Sequence, residues 1–139
     1  MILLDTDVVS ALMGVQPEQV VAVWLDKQPA ASIWITSVTL MEIRYGLQTM
    51  PRGVRQEGMS NSFERLLNEM IEQRIAPFDA EAAEQAANLM SIRKSKGRPS
   101  DVKDTMIGGI AISSHATLAT RNTKHFEDLP VTVVNPWSL

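Results

Sequence analysis

The stretch "MILLDTDVVSALM" (residues 1–13) decides how this chain is read. An apolar run ending at Leu4 meets Asp5-Thr6-Asp7, and a second apolar run follows. Ile2–Leu4 is short, apolar and bounded by polar residues, as a buried strand is. Residues 6–13 then read as a helix closed by Gly14. Two carboxylates one residue apart at the end of a buried strand need a reason. One aspartate satisfies the free N–H groups of a helix start. A second on the same turn repels the first, so the pair either caps a helix or holds something positive.

Working outward, Pro17 falls where helix N1 prolines fall, and residues 17–28 are predicted as a second helix. Residues 32–36, "SIWIT", alternate and carry β-branched and aromatic side chains, so they read as a strand. Residues 37–50 have helical spacing, with Val38, Met41, Tyr45 and either Leu40 or Leu47 expected inward. Pro51, Gly53 and Gly58 mark residues 51–60 as a loop, and 61–74 follow as an amphipathic helix. Residues 75–78 make a weak strand. Residues 79–97 form a helix with Asp79 as N-cap and Gly97 as stop. Residues 100–115 form another helix, in which Gly108-Gly109 implies close backbone approach. "TLAT" (117–120) and "VTVVN" (131–135) are two late strands. Helices alternating with short strands imply an α/β layered domain with a mostly parallel sheet. Sites in such sheets gather beyond the carboxyl ends of the strands. Asp5, residues 36–42 and "TRNTKH" (120–125) each follow a strand.

Bulk properties bound the function. A chain of 139 residues with 45% hydrophobic content favours one domain over residues 1–139 with a single core. No apolar run reaches the roughly 18 residues of a membrane span. The start lacks the basic flank and length of a signal peptide. No cysteine is present, which removes disulfides and thiolate metal sites and fits a reducing cytoplasm. A net charge of −3 argues against a broadly basic nucleic-acid binder. Contact with a polyanion then needs a local basic patch or bridging cations.

The other acids have ordinary readings one at a time. Thr39-x-x-Glu42 has capping-box spacing. Thr36 or Ser37 is nevertheless the better cap, because it follows the strand directly. Glu42 then lies in the second turn among Leu40, Met41 and Ile43, where an acid is costly to bury. Ser100 or Asp101 caps the helix that follows, which leaves Asp104 unassigned. Asn122 would serve as a plain helix cap. Taken together, Asp5, Glu42, Asp104 and Asn122 stand after short strands or at helix starts. Oxygen ligands converging from separated segments suit a hard divalent cation such as Mg²⁺ or Mn²⁺. Without one, the cluster pushes a carboxylate toward protonation.

With these residues in place, the chain resembles the PIN-domain ribonucleases, specifically the VapC/FitB-like toxins of VapBC toxin–antitoxin pairs. The resemblance rests on "MILLDTDVVSALM", "ITSVTLMEIRYGL" (35–47), "GRPSDVKDTMIGGIA" (97–111), "LATRNTKHFEDL" (118–129) and "VVNPW" (133–137), in that order. It implies a three-layer α/β/α domain around a mostly parallel sheet of about five short strands. It also implies a Mg²⁺- or Mn²⁺-dependent endoribonuclease with metal-binding acids at Asp5, Glu42 and Asp104. The fourth family position falls at Asn122, where many relatives carry Asp. Asp7 departs the other way, since Asn is usual there, and could supply the missing charge. Thr6 and Thr120 would orient carboxylates or a water. Water activated by the ion, not a side chain, would be the nucleophile. His115 is then a helix-end residue, and His125 a surface or phosphate-facing one.

Arg121 and Lys124 lie beside the proposed site and are the favoured phosphate contacts. Arg93, Lys94, Lys96 and Arg98 form a basic run that reads equally well as a solvated helix end. The resemblance points to tRNA or another translation RNA as substrate. It implies a homodimer, a VapB-like antitoxin, heterotetramers or larger assemblies with it, and operator DNA met only through that antitoxin. Trp24, Trp34 and the Met-rich helices hold more apolar surface than one small core needs. A carboxylate pocket is also a natural receptor for guanidinium.

Three other readings compete. A haloacid-dehalogenase-like phosphatase shares the "ILLDTD" start, with Asp5 as nucleophile. A receiver-like module would use Asp79 as phosphoacceptor. A catalytically weak PIN partner of a DNA-binding antitoxin would have a site eroded at Asn122.

Overall fold

The computed structural model describes residues 1–98 and 101–138. Five short strands form one sheet: β1 (Ile2–Leu4), β2 (Ile33–Thr36), β3 (Ile75–Ala76), β4 (Thr117–Ala119) and β5 (Val133–Val134). Their spatial order is β3-β2-β1-β4-β5, and every pairing is parallel. Between them run α1 (Thr6–Leu12), α2 (Gln19–Asp26), α3 (Ser37–Thr49), α4 (Val54–Arg65), α5 (Ala80–Ser95) and α6 (Val102–Ser114).

Period-two alternation of the strands sorts side chains into two cores. Leu4, Ile33, Ile35 and Ala119 face a cluster with Val8, Val9, Trp24, Phe63 and Ile71. Leu3 and Leu118 face the other way, against Ala82, Leu89, Ile107, Ile110 and Phe126. Both faces of the sheet are therefore covered, which is the expected three-layer arrangement. On the second face α5 and α6 pack at very short range. A Cβ built at Gly109 would stand 2.5 Å from the Ala82 carbonyl oxygen and 2.9 Å from the Ala86 Cβ. The glycine pair thus permits this helix contact, as its sequence suggested.

Several boundaries differ from the sequence reading. The helix expected at Pro17 begins at Gln19, with Glu18 in extended conformation as its cap residue. Residues 51–60 are not all loop: α4 starts at Val54, directly after Gly53, whose φ of +156° makes the break. Gly58 is absorbed inside this helix, which continues as a π-helical segment, Leu66–Met70. On α3, Met41 and Tyr45 are 52% and 69% exposed, whereas Val38, Ile43 and Leu47 are buried. The inward stripe is rotated from the expected one: Val38 joins one core, and Ile43 and Leu47 the other. Trp24 is a core residue, and Trp34 is packed against the second cluster. The apolar residues left exposed are instead Met41, Tyr45, Met90, Ile92 and Val102, among others.

Candidate active site at the carboxyl edge of the sheet

Because all five strands are parallel, their carboxyl ends share one edge, and each following helix starts there. The chain reverses its direction of travel across the sheet between β1 and β4, which is where ligands bind in open α/β sheets. Asp5 sits at that point. Its N–H donates to the Ala119 carbonyl of β4 at 2.9 Å, extending the β1–β4 pairing by one residue.

Asp5 is 5% exposed and caps α1. One carboxylate oxygen accepts the Thr6 N–H at 2.8 Å, and the other accepts the Thr120 hydroxyl at 2.7 Å. Burial nevertheless pushes its pKa up to about 6, and Asp7 and Asp104 add to the rise against those two hydrogen bonds. Asp7 Oδ2 accepts the Arg121 N–H at 3.0 Å and lies 3.5 Å from the Asn122 side-chain nitrogen. Asp7 Oδ1 is buried and has no hydrogen-bond partner among the described residues. Burial also raises the Asp7 pKa. A buried acceptor without a donor costs free energy.

Glu42 enters from the second turn of α3. That helix is capped by Thr36, which accepts the Thr39 N–H at 3.0 Å, while Ser37 instead accepts the Phe78 N–H. Glu42 Oε1 accepts the Thr6 hydroxyl at 2.8 Å, and Thr6 Oγ1 lies 3.1 Å from Thr39 Oγ1. Thr6 has one hydroxyl proton and gives it to Glu42, so Thr39 donates to Thr6. Glu42 Oε2 faces Lys103 Nζ at 3.5 Å. Asp101 caps α6 by accepting the Asp104 N–H at 3.0 Å; Ser100, the other candidate, lies outside the described residues. Asp104 is thereby freed to face His125, with 2.8 Å between Oδ2 and the ring Nδ1.

The structure thus brings Asp5, Thr6, Asp7, Glu42, Asp104, Thr120 and Asn122 to one edge. It does not present a finished cage. Among the described residues, no three carboxylate or imidazole side chains stand ready to hold one ion together. Glu42 and Asp104 are held by Lys103 and His125, and the expected sharing of one ion by Asp5, Glu42 and Asp104 requires those two to turn. The donor set fits a hard cation in its chemistry: oxygens only, several anionic, one of them orphaned. A cavity of about 710 Å³ elsewhere, beside Ile33 at the opposite end of β2, contains none of these acids.

The basic residues divide. Arg93 is 3% exposed and grips Asp128 with two hydrogen bonds of 2.9 Å, while also donating to the His125 carbonyl at 2.7 Å. It is not available to RNA, correcting that expectation. Its work is to clamp the segment after β4 that carries Asn122 and His125. This ion pair holds the Asp128 carboxyl below its usual range. Arg98 contacts Glu127, Asp128 and the Lys124 carbonyl. Lys94, Lys96 and Lys124 are exposed. Arg121 lies over the Trp137 ring, with Cζ 4.6 Å from its centroid. Sequence reasoning missed Lys103, His125 as partner of Asp104, and the Arg93 clamp. The "RK" run at 93–94 carried a signal for the clamp only in being basic, since its acidic partner lies 35 residues away. His115, left-handed at φ 52°, ends α6 as expected.

The PIN domain family model matches residues 2–131. VapC ribonuclease Y4jK of Sinorhizobium fredii is 34% identical over 137 residues, covering 99% of this chain and 98% of that one. Toxin FitB of Neisseria gonorrhoeae is 32% identical over 99% of each chain. The FitAcB crystal structure from that organism superposes with a TM-score of 0.89 over 100% of both chains. A tRNA(fMet)-specific endonuclease VapC of Shigella flexneri is 30% identical over 75% of this chain and 74% of its own. The phosphatase and receiver readings fall with these matches, and Asp79 is an ordinary cap that accepts the Ala82 N–H at 2.9 Å. The chain belongs to the PIN-domain family, within its VapC/FitB group of toxin ribonucleases.

Proposed function

We propose that this protein is a Mg²⁺- or Mn²⁺-dependent endoribonuclease that cuts tRNA or another translation RNA in the cytoplasm and is restrained by a cognate antitoxin. The observation that carries this reading is the state of the acids on the β1–α1 junction. Asp5 is raised to about 6, and Asp7 has a buried oxygen with no donor. A divalent cation relieves both costs at once. Asp5, Asp7, Glu42 and Asp104 would hold it. The ion would supply activation of water and a counter-charge for the phosphorus centre. The chain's own groups do the rest. Thr120 and Thr6 fix the orientations of Asp5 and Glu42 through hydrogen bonds of 2.7 and 2.8 Å. Asn122 supports Asp7 rather than adding charge. Exposed Lys124 supplies a cation beside the pocket for the RNA backbone.

The tRNA expectation leans on the Shigella relative and on the family's resemblance. An antitoxin that offers a guanidinium would suit the acid pocket. Met41, Tyr45, Met90 and Ile92 are apolar surface that a second copy or the antitoxin would cover. With a net charge of −3, operator DNA would be met only through the antitoxin.

The test is cleavage of a labelled tRNA by the purified chain with Mg²⁺ or Mn²⁺, with EDTA, and with Asp5→Asn and Asp104→Asn. The proposal expects cutting only with the metal, and loss of cutting in both variants while each stays folded by circular dichroism. Cleavage that survives EDTA contradicts it.

A further inference from the structure

We propose that the Arg121 guanidinium, carried on the Trp137 indole, is a stacking shelf for an unpaired nucleobase of the RNA beside the acid pocket. This rests on the ribonuclease reading above and specifies how the substrate is recognised.

Arg121 is tied to the pocket through its backbone. It follows Thr120, whose hydroxyl binds Asp5, and its own N–H holds Asp7 Oδ2 at 3.0 Å. The Arg121 charge acts on the nearby, half-buried Asp7 from a distance. Among the described residues Arg121 makes no close salt bridge with a carboxylate; its side chain lies over the Trp137 ring. The indole is fixed in turn. Its N–H donates to the Glu18 carboxylate, the Trp137 backbone N–H donates to Asn135 Oδ1 at 2.9 Å, and the ring packs against the core of the α1 side. Arg121 as a whole is exposed, so solvent reaches the guanidinium while the indole supports it.

A supported guanidinium plane is a surface on which an unpaired base stacks, in the way single-stranded RNA is read. A lysine would serve equally well for a phosphate but offers no plane. The fixed indole also removes most of the ordering cost of such a shelf. The substrate class that fits is a loop or other unpaired segment, since a paired base within a helix presents no free face. The shelf would hold a base close to the bond that the acids address.

The experiment is fluorescence anisotropy of the full chain, in EDTA, with a short labelled unpaired oligoribonucleotide. A series in which each base in turn is replaced by an abasic site is titrated alongside. The wild-type chain is expected to lose about tenfold in affinity at one position of the series. Arg121→Lys, which keeps the charge, is expected to bind the intact and abasic oligomers equally at the weaker level, with its melting temperature unchanged. Trp137→Leu is expected to lose the same base preference. A wild-type chain with no base preference, or with no oligomer binding, overturns the shelf. So does Arg121→Lys with the full wild-type preference, because the contact then only ties down the chain end. The ribonuclease reading fails separately, on cleavage that ignores metal ions.

Discussion

The two halves of the acid edge are built differently. On the β1–α1 junction, Asp5 is buried and Asp7 half-buried, and both are wired to the backbone and hydroxyls of Thr6, Thr120 and Arg121. Glu42 and Asp104, on α3 and α6, are partly exposed; Glu42 faces the Lys103 ammonium and Asp104 the His125 ring. The first half is preorganised and bears the electrostatic cost. The second half is held by more exposed partners, with only Glu42 Oε1 fixed from inside, by the Thr6 hydroxyl. Lys103 offsets part of the charge of Glu42, whereas nothing among the described residues relieves Asp5 in the same way.

The largest expected difference lies between the halves in chemistry and in stability together. Asp5→Asn is expected to cut RNA more than about 100-fold more slowly than wild type, by loss of transition-state charge stabilisation. In the metal-free state the same variant is expected to be more stable than wild type at pH 8. The sign follows from the raised pKa. Native Asp5 holds its proton more tightly than the unfolded chain does, so its contribution is fully present below the ordinary aspartate value. It is lost as pH rises through about 6. The loss is on the order of 3 kcal/mol and Asp7, also raised, adds in the same direction. Asp128, which is shifted downward, titrates below this window and does not mask it. Urea unfolding of metal-free protein between pH 4 and 8 measures the slope, and a flat profile would break the contrast between the halves.

Asp7 tests the buried half at smaller scale. Asp7→Asn is expected to weaken Mn²⁺ binding by roughly ten- to a hundredfold. Adding Asn122→Asp, which returns the charge to a position in contact with the first, is expected to recover most of it by calorimetry. No recovery would mean that the 3.5 Å contact does not make the two positions equivalent. The smallest effect belongs to the loose half. Lys103→Gln removes a half-exposed ion pair and should change stability by less than about 1 kcal/mol. It should also tighten Mn²⁺ binding by roughly threefold, because Glu42 is released. A tenfold weakening would show that Lys103 supports the site rather than competing for it.

Most of the sheet could be read from the chain because it depends on local runs. Ile2–Leu4, Ile33–Thr36 and Thr117–Ala119 carry their own apolar pattern, and parallel pairing then places Asp5, Glu42 and Thr120 on one edge without further information. Asp101 and Asp79 were legible as caps for the same local reason. The start of α4 was not, because Gly58 reads as a breaker although packing of Phe63 and Leu67 carries the helix through it. Side-chain partners across long separations were not legible either. Arg93 and Asp128, Lys103 and Glu42, and Arg121 and Trp137 meet only once the layers are stacked, and nothing in their local sequence announces the match.

The most direct test of the central claim is a Mn²⁺ titration of the purified chain at pH 7.5 by calorimetry, alongside Asp5→Asn and Asp104→Asn. Saturable binding by the wild type, lost or strongly weakened in both variants, is the predicted result, since acids from β1 and α6 then serve one ion. Equal binding by all three proteins would contradict it.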